Sequence, residues 1–253
     1  MYTILHSKRT NLVALLIATS VVIYICNQSL FLTVNSIGSL FPDSIWVFIT
    51  NLGDTSVALA IILALYAYKQ DTGIRLLILA IVGTLVIQGL KHLFGVDRPP
   101  VALDLNSFHL IGSTVKSPSF PSGHTATAFI GAGILAAQYA ATWVKRSVLI
   151  CAGLIGLSRI MMGVHWPFDV LVGGTLGWVI GYCGYQKLMT VNFNQVLSTW
   201  VGGAIVLIIM INALTYHLPY SEFWPTVYVH YTAVVLAVIG AFRAIKVLTK
   251  GSE

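Results

Sequence analysis

Residues 74–94 read IRLLILAIVGTLVIQGLKHLF, an apolar run whose ionisable groups, Arg75, Lys91 and His92, stand only near its ends. About 20 such residues, rising about 1.5 Å each, cross the hydrocarbon core of a bilayer as an α-helix. Outward from this run, charge, proline and polar clusters separate further apolar stretches at 11–32, 45–68, 122–143, 147–164, 167–188, 197–216 and 227–248. The second and last are the least clean: Asn51 and Asp54 interrupt one, while Arg243 and Lys246 close the other. Composition agrees, with 57% of the 253 residues hydrophobic, 9% charged and a mean hydropathy of +0.86. Soluble domains carry about 25% charged residues, so a water-soluble globule is excluded. The expected fold is all-α, a polytopic membrane helix bundle. The three cysteines, Cys26, Cys151 and Cys183, lack CxxC spacing and are expected as buried structural thiols.

Lys8 and Arg9 before the first run resemble the start of a signal peptide. No small-x-small cleavage site follows, and Ile23, Tyr24 and Ile25 ahead of Cys26 do not suit lipoprotein processing, so a retained anchor is expected. With eight crossings and the N-terminus inside, Lys8, Arg9, Lys69, Arg75, Lys145, Arg146, Lys187, Arg243, Lys246 and Lys250 fall inside. Only Lys91, Arg98, Lys116 and Arg159 fall outside, which satisfies the positive-inside rule and predicts cytoplasmic termini. The formal charge of +6 then reflects orientation and gives no sign of nucleic acid. Arg159 lies inside an apolar stretch, where an unpaired charge costs roughly 2.5 to 3.5 kcal/mol on insertion scales, so it is a functional candidate.

Inside connections are short, but the outside connection 99–121 is long, carries Pro99, Pro100, Asp104, His109, Lys116, Pro118 and Pro121, and shows no obvious helix. Such a loop is often a lid or binding element. No repeat or linker divides the chain. A single membrane domain, 1–253, is expected, with a six-helix core at about 11–188 and two additional transmembrane helices in 197–248.

Three outward segments concentrate polar chemistry. In KHLFGVDRP, 91–99, Lys91 and Arg98 stand two helical turns apart, although Gly95 and Pro99 predict fraying between them. Lys and Arg snorkelling to headgroups is the plainer reading of that pair alone. In FPSGHT, 120–125, Ser122 suits an N-cap, so the N–H groups of Gly123, His124 and Thr125 would face outward as an anion site. A plain helix start explains Pro121 and Ser122 but not His124. In SRIMMGVHWPFD, 158–169, Pro167 suits the first helical turn, and the i, i+4 spacing lets Asp169 reach Nδ1–H of His165, leaving Nε2 as nucleophile or base. A lone His beside an Asp is more often structural, but here it shares one edge with cations and a second histidine.

Together, three cations, a helix N-terminus and two histidines describe a pocket for a phosphate-like dianion, because phosphoryl transfer needs positioning and neutralisation of spreading oxygen charge. This chemistry calls for no metal and no cofactor. A metal site at His124, His165 and Asp169 is the weaker alternative, since the neighbouring Lys and Arg would repel a cation.

Lys91 with Arg98 and Pro99, then Pro121-Ser122-Gly123-His124, then Ser158-Arg159 followed by His165 and Asp169, resemble the full three-part signature of the type 2 phosphatidic acid phosphatase (PAP2) superfamily of integral-membrane lipid phosphatases. The resemblance covers about residues 45–188. It implies His165 as the nucleophile that forms a phosphohistidine, Asp169 as its orienting partner and His124 as the general acid. Lys91, Arg98, Ser122, Gly123 and Arg159 become phosphate ligands. The implied substrate is a lipid phosphate from the bilayer, of the undecaprenyl diphosphate, phosphatidylglycerophosphate, phosphatidic acid or lipid A 1-phosphate type, with no obligatory protein partner. The implied location is a bacterial inner membrane with the active site facing the periplasm. Lipid-to-lipid phosphotransfer is the enzymatic alternative. A transporter is disfavoured because the charges gather at one membrane edge, and an inactive lipid-binding protein because both histidines are present.

Gly173, Gly177 and Gly181 form overlapping GxxxG units that predict close helix packing. Asn51, Gly53 and Asp54 border the expected site or make a polar turn. His92 is expected on another helix face, His109 and Lys116 are weak headgroup candidates, and Trp46, Trp166, Trp178, Trp200 and Trp224 suit an interfacial belt.

Overall fold

The computed structural model describes residues 2–114, 117–194, 200–204, 207, 208, 211 and 219–250. Lys116 and most of the expected span 197–216 lie outside them. The described chain is all-α. In order it forms α1 (Tyr2–Ile25), α2 (Asn27–Gly38), α3 (Asp43–Asn51), α4 (Thr55–Tyr68), α5 (Gln70–Phe94), the short α6 (Pro99–Ala102), α7 (Gly123–Gln138), α8 (Thr142–Met161), α9 (Pro167–Leu188) and α10 (Trp224–Lys250).

Two expected spans are broken. The stretch read as one crossing at 11–32 turns by 79° between α1 and α2. The turn is held by polar groups that no hydropathy window weighs. Asn27 Oδ1 accepts from Phe168 N–H at 3.0 Å. The buried Asn35 amide donates to the carbonyls of His109, Ile160 and Met161, while its oxygen accepts from His109 N–H. Likewise α3 and α4 bend by 41°, with Asp54 capping α4 through Ser56 N–H at 2.7 Å.

Among the described residues, Asp71–Ala102 and Trp224–Arg243 are by length and apolarity able to cross a membrane, and up to four helical units qualify if each bent pair counts as one. α7 has only 16 residues, and α8 carries Lys145, Arg146 and Arg159. In α9, Asp169 and five glycines lower the hydropathy. The outer surface is strongly apolar along α1, α4 and α5, where Leu15, Ile17, Val21, Ile61, Leu65, Ile81 and Leu85 are exposed. All three cysteines are exposed too, contrary to expectation: Cys26 at the turn between α1 and α2, Cys151 on an outward face of α8 and Cys183 on an outward face of α9.

The helices that carry the chemistry meet across glycine. A Cβ at Gly173, Gly177 or Gly181 of α9 would lie 2.6, 2.4 or 2.3 Å from the carbonyl oxygens of Ser122, Ala126 and Ile130 on α7. The two backbones are therefore in direct contact, as the GxxxG spacing predicts. At the end remote from these segments, the buried Arg75 donates to the carbonyls of Leu188, the last residue of α9, and of Val191 just beyond it. α10 packs along α4, and Thr226 accepts from the buried Asn51 amide at 2.9 Å.

Trp46 and Trp166 are buried, not part of a belt. Their indole N–H groups donate to Gly38 O and Asp97 O, and Phe31 packs edge-on against Trp166. The loop 99–121 contains helical structure after all: α6, then a 3-10 turn at Leu105–Ser107 whose first N–H groups are met by Asp104.

Candidate active site

α5 stops at Phe94 because Gly95 takes a left-handed conformation, φ 55°, and closes the last turn on Lys91 O. A glycine adopts this at no steric cost. The chain then runs extended to Arg98 before Pro99 opens α6. This break brings Lys91 and Arg98, both buried, under the segment 117–119. Lys91 Nζ donates to Pro118 O and Ser119 O, at 2.5 and 3.1 Å. Arg98 donates from Nε to Ser117 O at 2.8 Å, from Nη2 to Ser117 Oγ at 3.1 Å and from Nη1 to Val164 O at 2.9 Å.

The turn between α8 and α9 presents His165. Gly163, φ 76°, reverses the chain, the N–H groups of Val164 and His165 return to Arg159 O, and Pro167 opens α9. His165 is 2% exposed. Its Nδ1 lies 3.2 Å from Asp169 Oδ2, which also accepts from Trp166 N–H at 3.0 Å and from Ser119 Oγ at 2.5 Å. With an all-acceptor carboxylate on that side, the ring proton belongs on Nδ1 and the lone pair on Nε2. That lone pair is not free, as the sequence suggests, but lies 3.1 Å from Arg98 Nη1. Burial, then the guanidiniums of Arg98 and Arg159, the Lys91 ammonium and His124 hold the His165 imidazolium well below the ordinary histidine range.

His124 lies in the first turn of α7, its Nε2 3.7 Å from Asp54 Oδ2. Ser122 occupies the N-cap position, but its side chain makes no cap bond. Its hydroxyl accepts from Thr125 Oγ1 at 2.8 Å, and its N–H donates to Asp169 O at 3.0 Å. The Ser122 backbone thus joins the two motifs, and the first-turn N–H groups have no carbonyl one turn earlier to receive them. Arg159, 3% exposed, donates from Nη1 to Thr50 Oγ1 at 2.6 Å, while its buried Nε has no hydrogen-bond partner.

Every candidate site residue therefore lies at one end of the bundle. Ser119, Thr50 and the Asp54–His124 pair add to the sequence reading. Ser119 precedes Pro121 by two residues, but nothing in its spacing signals contact with Asp169. His109 is drawn away, with Nε2 2.8 Å from Asp43 Oδ1, and His92 is exposed. Among the described residues no group of three or more His, Cys, Asp or Glu side chains is placed to hold a metal ion.

The PAP2 superfamily profile matches residues 72–193, the segment that contains all three motifs. The undecaprenyl-diphosphatase BcrC of Bacillus subtilis is 30% identical over 152 residues, which span 57% of this chain and 74% of that protein. The chain belongs to the PAP2 superfamily. It is an integral-membrane lipid phosphatase of the PAP2 type, a hydrolase. A lipid A 1-phosphatase of Porphyromonas gingivalis is 34% identical over 109 residues, 42% of this chain but only 21% of that longer protein. The crystal structure of LpxE from Aquifex aeolicus superposes with a TM-score of 0.57 at 29% identity, covering 63% of this chain and 94% of that one.

Proposed function

We propose that this PAP2 site hydrolyses the terminal phosphate of a membrane lipid phosphate or diphosphate through a phosphohistidine on His165. The observation that carries the reading is electrostatic. Lys91, Arg98 and Arg159 are all buried, none has a carboxylate at ion-pair distance among the described residues, and Arg159 Nε is buried without a partner. Buried unpaired charge is costly, and a phosphoryl dianion supplies both the missing charge and the missing acceptor.

His165 Nε2 attacks phosphorus as the bond to the leaving oxygen breaks, and His124 delivers a proton to that oxygen. Arg98 Nη1, which lies against Nε2, transfers its hydrogen bond to a phosphoryl oxygen. Lys91, Arg159, Ser122 and the N–H of Gly123 bind the remaining oxygens. Asp169 holds Nδ1–H while positive charge grows on the ring. Water then attacks the phosphohistidine, His124 takes its proton, and phosphate leaves with His165 restored.

The lipid reaches this end laterally. A groove of about 480 Å³ lined by Leu16, Ile17, Ser20, Val21, Tyr24 and Phe168 lies beside the start of α9. From there Phe168 stacks on Phe120, which meets Phe94 edge-on. Relatives named for undecaprenyl diphosphate and for lipid A 1-phosphate support those two substrates first. We assign a six-helix core with two further C-terminal spans in a bacterial inner membrane, both termini cytoplasmic and the site facing the periplasm.

The test is phosphate release by purified protein in detergent with EDTA, from undecaprenyl diphosphate, phosphatidylglycerophosphate, phosphatidic acid and lipid A. Wild type is expected to release phosphate from at least one, and His165→Ala to lose about 10³-fold or more, as expected when a covalent nucleophile is removed. No release from any lipid, or equal release by the variant, overturns the reading.

A further inference from the structure

The phosphatase reading leaves open what orients the general acid, and the answer lies on a different part of the chain from the three motifs. Asp54, 7% exposed, sits in the break between α3 and α4. Its Oδ1 caps α4 through Ser56 N–H, which turns Oδ2 towards His124 Nε2 at 3.7 Å. The preceding residue presses that turn onto α7. A Cβ at Gly53 would lie 3.1 Å from His124 O and 2.5 Å from the Ile155 side chain. The break is anchored on its other side by the buried Asn51–Thr226 hydrogen bond.

We propose that Asp54 is the positioning residue for His124, holding Nε2–H so that Nδ1 is the atom that gives its proton to the leaving oxygen. This rests on the phosphatase reading above. In the step, Nδ1–H breaks and the leaving oxygen gains that proton, while Nε2–H stays on the ring facing the carboxylate. When water attacks the phosphohistidine, Nδ1 takes a proton back. The site thereby holds two carboxylate–histidine pairs of opposite role. Asp169 holds Nδ1 of His165 and frees Nε2 for phosphorus, whereas Asp54 holds Nε2 of His124 and frees Nδ1 for the proton. The other charged groups acting on His124 are Arg159 from α8 and Arg98 and Lys91 from the end of α5, all cationic. Against these cations, the Asp54 carboxylate at 3.7 Å is placed to favour the protonated ring by charge attraction.

Two variants separate positioning from capping. Asp54→Ser keeps a good N-cap for α4 and removes the carboxylate, and Asp54→Asn keeps cap and reach but removes the charge. With the lipid phosphate that wild type hydrolyses fastest, Asp54→Ser is expected to lose about 10- to 100-fold in kcat, a share of the usual general-acid contribution, with KM changed less than about two-fold. In both variants the alkaline limb of the kcat profile moves to lower pH, and Asn recovers part of kcat without restoring the limb. Imidazole ¹⁵N shifts of His124 provide a readout independent of turnover: the neutral ring carries its proton on Nε2 in wild type and becomes a tautomer mixture in Asp54→Ser. An active wild type with unchanged kcat, limb and tautomer in both variants overturns this assignment alone. A loss confined to thermal stability or KM overturns it too, as the signature of a cap. A wild type inactive on every lipid overturns the phosphatase reading and this inference with it, whatever the tautomer.

Discussion

Asp169 Oδ2 receives Ser119, Trp166 and His165 on one oxygen, and that convergence gives the histidine its tautomer. Half of it is legible from spacing: an Asp four residues after a His, across a Pro-initiated helix start, places carboxylate and imidazole together. The other half is not, since Ser119 comes from a segment 46 residues before His165. The cationic surroundings have a measurable consequence. Unfolded histidine binds a proton below pH about 6.5, whereas folded His165, its imidazolium well below that range, does not. The unfolded state then holds more protons, so stability falls as pH drops from about 6.5 towards the folded value. Between pH 7 and 5 the thermal midpoint of wild type in detergent is expected to fall more steeply than that of His165→Gln. Equal slopes would show that folded His165 titrates normally.

Among the elements, the α7–α9 pair sets the distance between His124 and His165, the proposed acid and the proposed nucleophile. Overpacking at such a contact typically costs about 1–3 kcal/mol, and its effect should depend on distance from the site. At Gly173 an added methyl meets the Ser122 backbone, so Gly173→Ala is expected to lower both thermal midpoint and kcat, the latter at least about ten-fold. At Gly181 it meets Ile130 O, two turns further away, so Gly181→Ala should lower the midpoint while sparing much of kcat. Gly153 of α8 has nothing within 4 Å of such a Cβ, and Gly153→Ala should be neutral or stabilising. A kcat loss in Gly181→Ala as large as in Gly173→Ala would refute the graded coupling. The glycine spacing was readable in the sequence. The break between α3 and α4 was signalled by Asn51 and Asp54 within an apolar stretch, but the break between α1 and α2 was not, because Asn27 and Asn35 act through partners on other elements.

For the molecule as a whole, all three motif segments lie at one end of the bundle, and the buried Arg75 at the other end caps the exit of α9. The proposed orientation is tested by cysteine labelling. Because Cys26, Cys151 and Cys183 are exposed, they are first replaced by serine, and Leu105→Cys, at an exposed position in the 99–121 loop, is added. An impermeant maleimide applied to intact cells is expected to label it; labelling only after permeabilisation reverses the orientation. The class of fold and the candidates for the reacting groups were legible in the sequence alone, because hydropathy, charge asymmetry and motif spacing are local properties of the chain. Only tertiary structure decided which groups restrain them: Ser119 on Asp169, Arg98 on His165 Nε2, Thr50 on Arg159 and Asp54 facing His124. Each of these is a polar contact between segments far apart in the chain. Such partners leave no periodic trace, because their proximity comes from helix breaks and glycine contacts formed when the helices pack.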